Sequence, residues 1–480
     1  METQRPQSAY RQIIKYTSMF GSVQVLNILA GLVRNKVAAV LLGPAGVGLA
    51  SLMLTWQGLA SQATNFGIHF GSIPRLSQLH ESGNSEALVH EIGVMRAWSV
   101  VAALLGALLC VLAGPLACHA VFHSAEHATW FAWMAPAVAA LALTGSETSI
   151  LKATRQLGAL ARVQAIGAVG CTAVAVVFYY LMGIQGIVPV IVASALLMLL
   201  LTARSSLRCY PIGKMRSAAI LKEGGGMLRL GVVFVIGGIV GQVAEFFVRT
   251  FLTNNGGLSD VGLYSAAYTL TISYAAIVFA SVDSDYYPRI SACNEARSMS
   301  SVANQQAEVL LMLASPLASL LMLALPWLLP LLYSGEFLSV IAVAQTAALA
   351  IYMKAVSLPV SYMPLARHDS TAYLVIETGY WAYFTVFVVT GYRLWGLEGM
   401  GVALVAAHVV EWCAGTCWAV FRYGYRPSPR LLLLLLLQGS IGTALCYATQ
   451  HLSGVAYWVS GGLLLMLSVA LSLRAFLKNR

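Results

Sequence analysis

Residues 31–48, GLVRNKVAAVLLGPAGVG, form an apolar stretch that carries two cations, Arg34 and Lys36, ahead of a Gly-Pro turn. Similar apolar runs recur along the chain, and many reach the roughly 20 residues that a helix needs to cross a bilayer. The 480 residues are 59% hydrophobic and only 10% charged, with a mean hydropathy of +0.77. A soluble domain with so few charges would aggregate. The sequence therefore predicts an all-α polytopic membrane protein.

The lengths of the apolar runs predict about fourteen transmembrane helices joined by short connections. The two longest polar connections, 73–93 and 208–226, are too short to hold a catalytic domain. The expected spans are 16–42, 46–72, 94–117, 129–151, 157–182, 186–207, 227–253, 259–287, 306–332, 338–363, 370–393, 397–421, 430–451 and 455–476.

Lysine and arginine are distributed unevenly between the two sides of these spans. With the N-terminus in the cytoplasm, 23 of the 28 Lys and Arg residues fall in inner loops and tails, and only Arg393 falls in an outer loop. This asymmetry follows the positive-inside rule and predicts that both termini are cytoplasmic. It also explains the net charge of +10 without nucleic acid as a partner.

Four cations remain, and all lie inside predicted spans: Arg34, Lys36, Arg249 and Lys354. Each costs about 2.5–3.5 kcal/mol at the centre of a helix that faces lipid, so each must face an acid or water. Glu245 and Arg249, four residues apart, share a helix face. Buried pairs that join helices are one interpretation, but four cations without fixed partners favour a hydrated substrate pathway. The acidic candidates are Glu147, Glu245, Asp283, Asp285, Glu377 and Glu411.

The chain also repeats itself at a shift of 214 residues. VGLAS at 47–51 aligns with VGLYS at 261–265, and PRLS at 74–77 aligns with PRIS at 288–291. Both copies start on the same side of the membrane, so we predict two six-helix bundles related by a pseudo-two-fold axis along the membrane normal. The predicted divisions are the bundles 1–210 and 227–426, a cytoplasmic connector 211–226, and two additional helices in 427–480.

Several of these motifs resemble the O-antigen and oligosaccharidyl-lipid flippases of the multidrug/oligosaccharidyl-lipid/polysaccharide exporter superfamily. The stretch around Lys36 is similar to the exit of their first helix, and LKATR at 151–155 to the turn after their fourth. DYYPRIS at 285–291 resembles their Asp-Tyr-Tyr-Pro-Arg-Leu-Ser, and Arg249 is placed like an arginine of their seventh helix. Lys354, Tyr362, Ala366, Arg367 and Glu377 follow the spacing of their tenth and eleventh helices.

The resemblance covers residues 10 to 420, and the chain departs from it at two places. Arg34 is an additional cation beside the familiar lysine, and the last two spans extend beyond a twelve-helix core.

The resemblance implies transport without bond chemistry, cofactor or metal. An undecaprenyl-diphosphate-linked oligosaccharide would move from the cytoplasmic to the periplasmic leaflet of the bacterial inner membrane by alternating access, for O-antigen or other surface polysaccharide assembly. A polysaccharide polymerase and a chain-length regulator would be further partners. We expect Lys36 and Arg249 to meet the lipid diphosphate, with Lys354 supporting and Arg34 secondary. The residues expected to act in coupling or gating are Asp285, Asp283, Glu245, Glu147 and Glu377.

Other interpretations of the residues stay open. A multidrug or cation antiporter of the same superfamily would need an acidic cavity, for which Asp283, Asp285 and Glu245 are available. An O-antigen polymerase or ligase would need a large outer loop, and the outer loops here are short.

Two motifs indicate other chemistry. DSD at 283–285 is similar to the metal-binding motif of glycosyltransferases but stands at the end of a span. His119, His123 and His127 would share a face if one helix carried them and could then take a transition metal, although a solvated loop explains them as well.

Overall fold

The computed structural model describes residues 6–124, 127–212, 225–293 and 295–477, with side chains left undescribed at some helical positions. Within these ranges all regular secondary structure is helical, which confirms the all-α class. The side chains of Asp283 and Asp285, both predicted to act in coupling, lie outside the described residues, so their roles stay predictions.

The first half of the chain forms long helices with short connections. A 3₁₀ turn, Gly183–Gly186, joins the sixth helix to the seventh. The helices are α1 (Pro6–Thr64), α2 (Ile68–Glu81), α3 (Ser85–Phe122), α4 (Ala128–Ala132), α5 (Ala135–Ala153), α6 (Leu157–Met182), α7 (Ile187–Cys209) and α8 (Gly225–Tyr268).

The second half continues in the same way. A π-helical turn, Thr269–Ser273, follows α8, and a 3₁₀ turn, Gly335–Val340, precedes α11. The helices are α9 (Tyr274–Ser291), α10 (Ala296–Leu332), α11 (Ile341–Ala348), α12 (Ala350–Ser361), α13 (Met363–Ala366), α14 (Ser370–Tyr423), α15 (Pro429–His451) and α16 (Gly454–Leu477).

The described residues contain nine continuous helical stretches long and apolar enough to cross a membrane, or ten with a bent pair over 335–366. Four of the nine have 42 to 54 residues, about twice the length of one span. Each of these four is interrupted by a glycine with positive φ, namely Gly43, Gly183, Gly257 or Gly396. Glycine has no Cβ and adopts this conformation without strain. Counting each interrupted helix as two spans and the bent pair as one gives the fourteen that were predicted.

The same backbone conformations recur at the spacing of the sequence repeat. Gly43 (φ 66°, ψ −174°) and Gly257 (φ 80°, ψ 178°) are 214 residues apart. Gly183 (φ 56°, ψ −133°) and Gly396 (φ 59°, ψ −142°) are 213 apart. Equivalent turns in the two halves therefore have equivalent geometry, as a parallel internal repeat requires.

The chain divides into two compact units, residues 1–259 and 260–480. In the first unit, the α8 ring of Phe246 lies 5.7 Å from the α1 ring of Trp56. The span that opens the second repeat therefore packs within the first unit. The domain divisions given above rest on the repeat and stay a prediction.

Each unit has its own apolar core. The core of the first unit includes Leu52, Trp56, Phe131 and Ile187. The core of the second unit includes Leu310, Met322, Tyr352 and Leu445.

Candidate functional site

In the first unit, α8 holds Arg249 in the interior, where the residue is only 7% exposed. Its Nε donates a hydrogen bond to Ser51 Oγ on α1 at 2.8 Å. Its Nη1 forms an ion pair with Glu245, one turn earlier on the same helix. The predicted sharing of a face by these two residues is confirmed. Because Glu245 already compensates the guanidinium, an anionic substrate would have to compete with this carboxylate.

Arg34 and Lys36 lie on α1, a few residues before the break at Gly43. The Arg34 side chain is exposed, whereas Lys36 is half-buried. Two residues on a helix point about 200° apart, so only one of them can turn inward at this position. Lys36, the cation that the resemblance singles out, is the more buried of the two.

Glu147, another predicted coupling residue, is bound by Arg96. Arg96 Nε donates to Glu147 Oε1 at 2.8 Å and Nη2 donates to Oε2 at 2.8 Å. Arg96 Nη1 donates to the backbone oxygen of Tyr210 at 2.9 Å. This two-pronged pair joins α3, α5 and the end of α7, with both side chains only about a tenth exposed. The geometry is that of a helix-joining pair, and a coupling role for Glu147 stays a prediction.

In the second unit, Lys354 on α12 is bound by an acid of α14. Its Nζ lies 2.9 Å from Glu411 Oε1 and 5.4 Å from the centre of the Tyr380 ring. Glu411 is only 7% exposed. Its second oxygen, Oε2, is buried and has no hydrogen-bond partner within the part of the chain that the structure describes. A buried carboxylate oxygen without a donor is costly, so this oxygen is open to a further hydrogen-bond donor or a cation.

A second carboxylate stands close to the same lysine. Glu377 on α14 accepts a hydrogen bond from Trp381 Nε1 at 2.9 Å, and it interacts electrostatically with both Lys354 and Glu411. His408, 1% exposed, lies one turn before Glu411, with Nδ1 2.9 Å from the backbone oxygen of Leu404. Glu411 is thus the carboxylate in direct contact with the ammonium group, and Glu377 lies within electrostatic range of it. We call Lys354, Glu377, His408 and Glu411 the acidic cluster.

The sequence alone assigns no functional role to two residues of the ion pairs described above, Glu411 and Arg96. Glu411 was one of six acidic candidates, and Arg96 was counted only as a loop cation. The spacing of His408 and Glu411, three residues apart on one helix, was the available indication that they share a face. Nothing in the spacing of Arg96 and Glu147 indicates their contact.

The three histidines with helical spacing do not share one helix. The helix α3 ends at Phe122, and His123 adopts a left-handed conformation with φ 52°. The His119 and His123 rings are 6.4 Å apart, while His127 stands before α4. Across residues 6–124, 127–212, 225–293 and 295–477, no three His, Cys, Asp or Glu side chains gather as metal ligands would.

The fold is similar to that of solved transporters. The lipid II flippase MurJ, in an inward closed conformation, superposes with a TM-score of 0.72 at 12% identity, covering 97% of this chain and 99% of that chain. The inward-facing conformation of a multidrug resistance MATE family transporter of the MOP superfamily gives 0.65 at 15% identity, covering 86% and 95%. An MOP superfamily transporter from Pyrococcus furiosus gives 0.56 at 14% identity, covering 85% and 93%. At these identities the likeness concerns the fold alone.

No curated protein matches the sequence significantly. The family model described as "Polysaccharide biosynthesis protein" matches residues 13–293, which is more than half of the chain. The matched range includes Lys36, Arg249 and both copies of the repeated motifs. The resemblance drawn from the sequence is thereby confirmed at the level of family and fold. The chain belongs to the polysaccharide biosynthesis protein family.

Proposed function

We propose that this protein is a flippase that moves undecaprenyl-diphosphate-linked oligosaccharide units from the cytoplasmic to the periplasmic leaflet by alternating access. Its product would serve O-antigen or other surface polysaccharide assembly. The proposal places the protein in the bacterial inner membrane with both termini in the cytoplasm. It also places a polysaccharide polymerase and a chain-length regulator downstream.

The observation that carries this proposal is the extent of the likeness to the lipid II flippase. The superposition covers 97% of this chain. The uncovered part is shorter than α15, which has 23 residues, and shorter than α16, which has 24 residues. The MATE and MOP transporters described above overlap with 85% or 86% of the chain. The superposition on the lipid II flippase therefore extends into both additional helices, which supports a transporter of lipid-linked substrates.

The physical barrier to flipping is the removal of water from a diphosphate and many sugar hydroxyls. Cations held inside the spans lower this barrier because they replace water with charge-assisted hydrogen bonds. Lys36 and Arg249, both in the first unit, are suited to this role. The diphosphate carries more negative charge than Glu245 and can compete with this carboxylate for Arg249. Lys354, which already faces two carboxylates, contributes less to anion binding in this scheme than its charge alone suggests.

The proposal is tested by deleting the gene in its own host. Undecaprenyl-linked glycan should then accumulate in the cytoplasmic leaflet, and surface polysaccharide should be lost until the wild-type gene is restored. Protection of the glycan from an impermeant glycosidase, with and without membrane disruption, distinguishes the two leaflets. Unchanged surface glycan, without any cytoplasmic accumulation, would overturn the proposal.

The acidic cluster of the second unit favours a second candidate, a multidrug or cation antiporter. Two carboxylates around one ammonium can bind an additional cation, as export of cationic drugs requires. This candidate predicts that expression in a host without drug efflux pumps raises resistance to cationic dyes, and that Glu411→Gln removes this resistance. Unaltered dye resistance at normal expression would exclude it.

A further inference from the structure

A small cavity of about 300 Å³ lies between the first turns of α6 and the last turns of α7. Three arginines line it: Arg162 from α6, and Arg204 and Arg208 from successive turns of α7. All three side chains are exposed. The charge asymmetry of the sequence assigns this end of both helices to the cytoplasmic leaflet.

Unlike Arg75 and Arg422, these three exposed arginines have no acidic partner among the described residues. Arg75 pairs with Glu91 at 3.0 Å, and Arg422 pairs with Asp369 at 3.3 Å. Within the cavity, the polar contact found for the arginines is from Arg162 Nε to the backbone oxygen of Gly158, at 3.3 Å. Three like charges around one cavity repel one another unless an anion lies between them.

The residues that line the cavity change from charged and polar to apolar along the two helices. Ser205 stands beside the arginines, whereas Ile166 and Leu201 form the side of the cavity that lies deeper in the spans. Ile166 is 56% exposed, as expected for a residue that faces acyl chains. A cationic end followed by an apolar wall matches a phospholipid, whose phosphate lies at the interface and whose acyl chains lie below it.

We propose that this cavity is a binding site for the phosphate of an anionic membrane phospholipid of the cytoplasmic leaflet. Basic cavities between transmembrane helices on the cytoplasmic side are suited to such head groups, and guanidinium groups pair with phosphate oxygens through two parallel hydrogen bonds. The site is separate from Lys36, Arg249 and the acidic cluster, so it goes beyond the proposed transport function. The bound lipid would anchor the ends of α6 and α7 at the membrane surface.

The test measures lipid binding to the purified full-length protein. By native mass spectrometry or thermal stabilisation, phosphatidylglycerol should bind and phosphatidylcholine should not. Each arginine should contribute about 5-fold in affinity, so Arg162→Gln/Arg204→Gln/Arg208→Gln should weaken phosphatidylglycerol binding roughly 100-fold. The corresponding triple lysine variant should keep much of the binding, because lysine keeps the charge.

The matched control is Arg297→Gln/Arg426→Gln/Arg474→Gln, which removes three exposed arginines of the second unit that do not line the cavity. This control should change the affinity less than about 2-fold. Equal losses in both triple variants would overturn the site in favour of general charge attraction. Loss of undecaprenyl diphosphate binding in the first triple variant, with phosphatidylglycerol unaffected, would overturn it in favour of the carrier lipid.

Discussion

Among the residues whose side chains the structure describes, the two units differ in the sign of the charge inside their spans. In the first unit the in-span cations Arg34, Lys36 and Arg249 outnumber the acid Glu245, and Glu147 is matched by Arg96. In the described part of the second unit, Lys354 forms an ion pair with Glu411 and lies within electrostatic range of Glu377. Charges inside a membrane protein are costly, so their sign limits which ligands a unit suits. The proposed flippase would bind its anionic diphosphate in the first unit, and the second candidate function would bind a cation in the second.

The ion pairs of the two units, Arg96 with Glu147 and Lys354 with Glu411, also differ in geometry. Arg96 engages both oxygens of Glu147 through a planar fork, which leaves this carboxylate without an open position. Lys354 presents a compact ammonium to one oxygen of Glu411 and leaves the other oxygen without a donor. An arginine fork occupies both oxygens of a carboxylate, whereas the compact ammonium of lysine occupies one.

The most severe test concerns Lys36. Lys36→Ala should abolish flipping, a loss of ~100-fold or more, because a charge-assisted hydrogen bond contributes up to about 3 kcal/mol. Lys36→Arg should keep much of the activity, since the charge remains. Flipping is measured as surface glycan at matched protein level, with Arg297→Ala as the control for loss of an exposed cation. If Lys36→Ala and Arg249→Ala both assemble full-length glycan at normal expression, the first unit does not bind the anion.

The ion pair of Arg96 and Glu147 in the first unit should have the largest effect on the free energy of unfolding. Glu147→Ala leaves the Arg96 guanidinium buried without its acid, so unfolding should become easier by about 3–5 kcal/mol. The double variant Arg96→Met/Glu147→Leu should be milder, because no charge is left without a partner. The thermal midpoint of the detergent-solubilised protein provides the measurement. Arg75→Ala, at the exposed pair with Glu91, serves as the control and should cost at most ~1 kcal/mol. A double variant as unstable as Glu147→Ala would show that the packing shape, and not the charge, determines the effect.

The ion pair of Lys354 and Glu411 in the second unit should affect transport more than stability. Glu411→Gln keeps the shape and an acceptor for the Lys354 ammonium, which is 27% exposed, so stability should fall by less than the roughly 3–5 kcal/mol expected for Glu147→Ala. Transport should nevertheless fall roughly 10-fold, because the charge that a cation would meet at this open oxygen is removed. Transport and thermal midpoint are measured on the same preparations, with Glu336→Gln, outside the acidic cluster, as the control. A large loss of stability with proportionate loss of activity would make Glu411 a structural residue like Glu147.

The smallest effect is expected at equivalent turns of the two units. Arg155 and His368, 213 residues apart, both have positive φ, but the helix after His368 is capped by Asp369 and the helix after Arg155 lacks a side-chain cap. Asp369→Ala should cost about 1 kcal/mol, and Asp369→Asn should cost less because asparagine also caps helices.

The same carboxylate predicts a pH dependence. The backbone N–H of Ala372, together with Arg422 and Tyr423, holds the pKa of Asp369 below its usual value. The advantage of the wild type over Asp369→Asn should therefore be complete above about pH 4, the range of an unfolded aspartate. It should disappear as the pH falls through the lowered pKa of the folded state. Thermal midpoints of both variants across this range provide the measurement, and an advantage that persists at the lowest pH would contradict the assignment.

Much of the fold could be predicted because it depends on local properties of the chain. The number of spans follows from the lengths of apolar runs, and the breaks at Gly43 and Gly257 coincide with the turns expected between spans. The pair of Glu245 and Arg249 was also predictable, because residues four apart on a helix are neighbours. The histidine series shows where local spacing fails, since α3 ends at Phe122 before the shared face can form.

The sequence by itself determined the class of the protein, its repeat and the cations that need compensation, because insertion into a bilayer depends on local hydropathy and charge. Only the tertiary structure decided which acid meets which base. Arg96 and Glu147 are 51 residues apart, and Lys354 and Glu411 are 57 apart. No periodicity connects such residues, because their contact depends on how separate helices pack and rotate against each other. The acidic cluster and the arginine-lined cavity therefore became visible only when the helices of each unit were placed side by side.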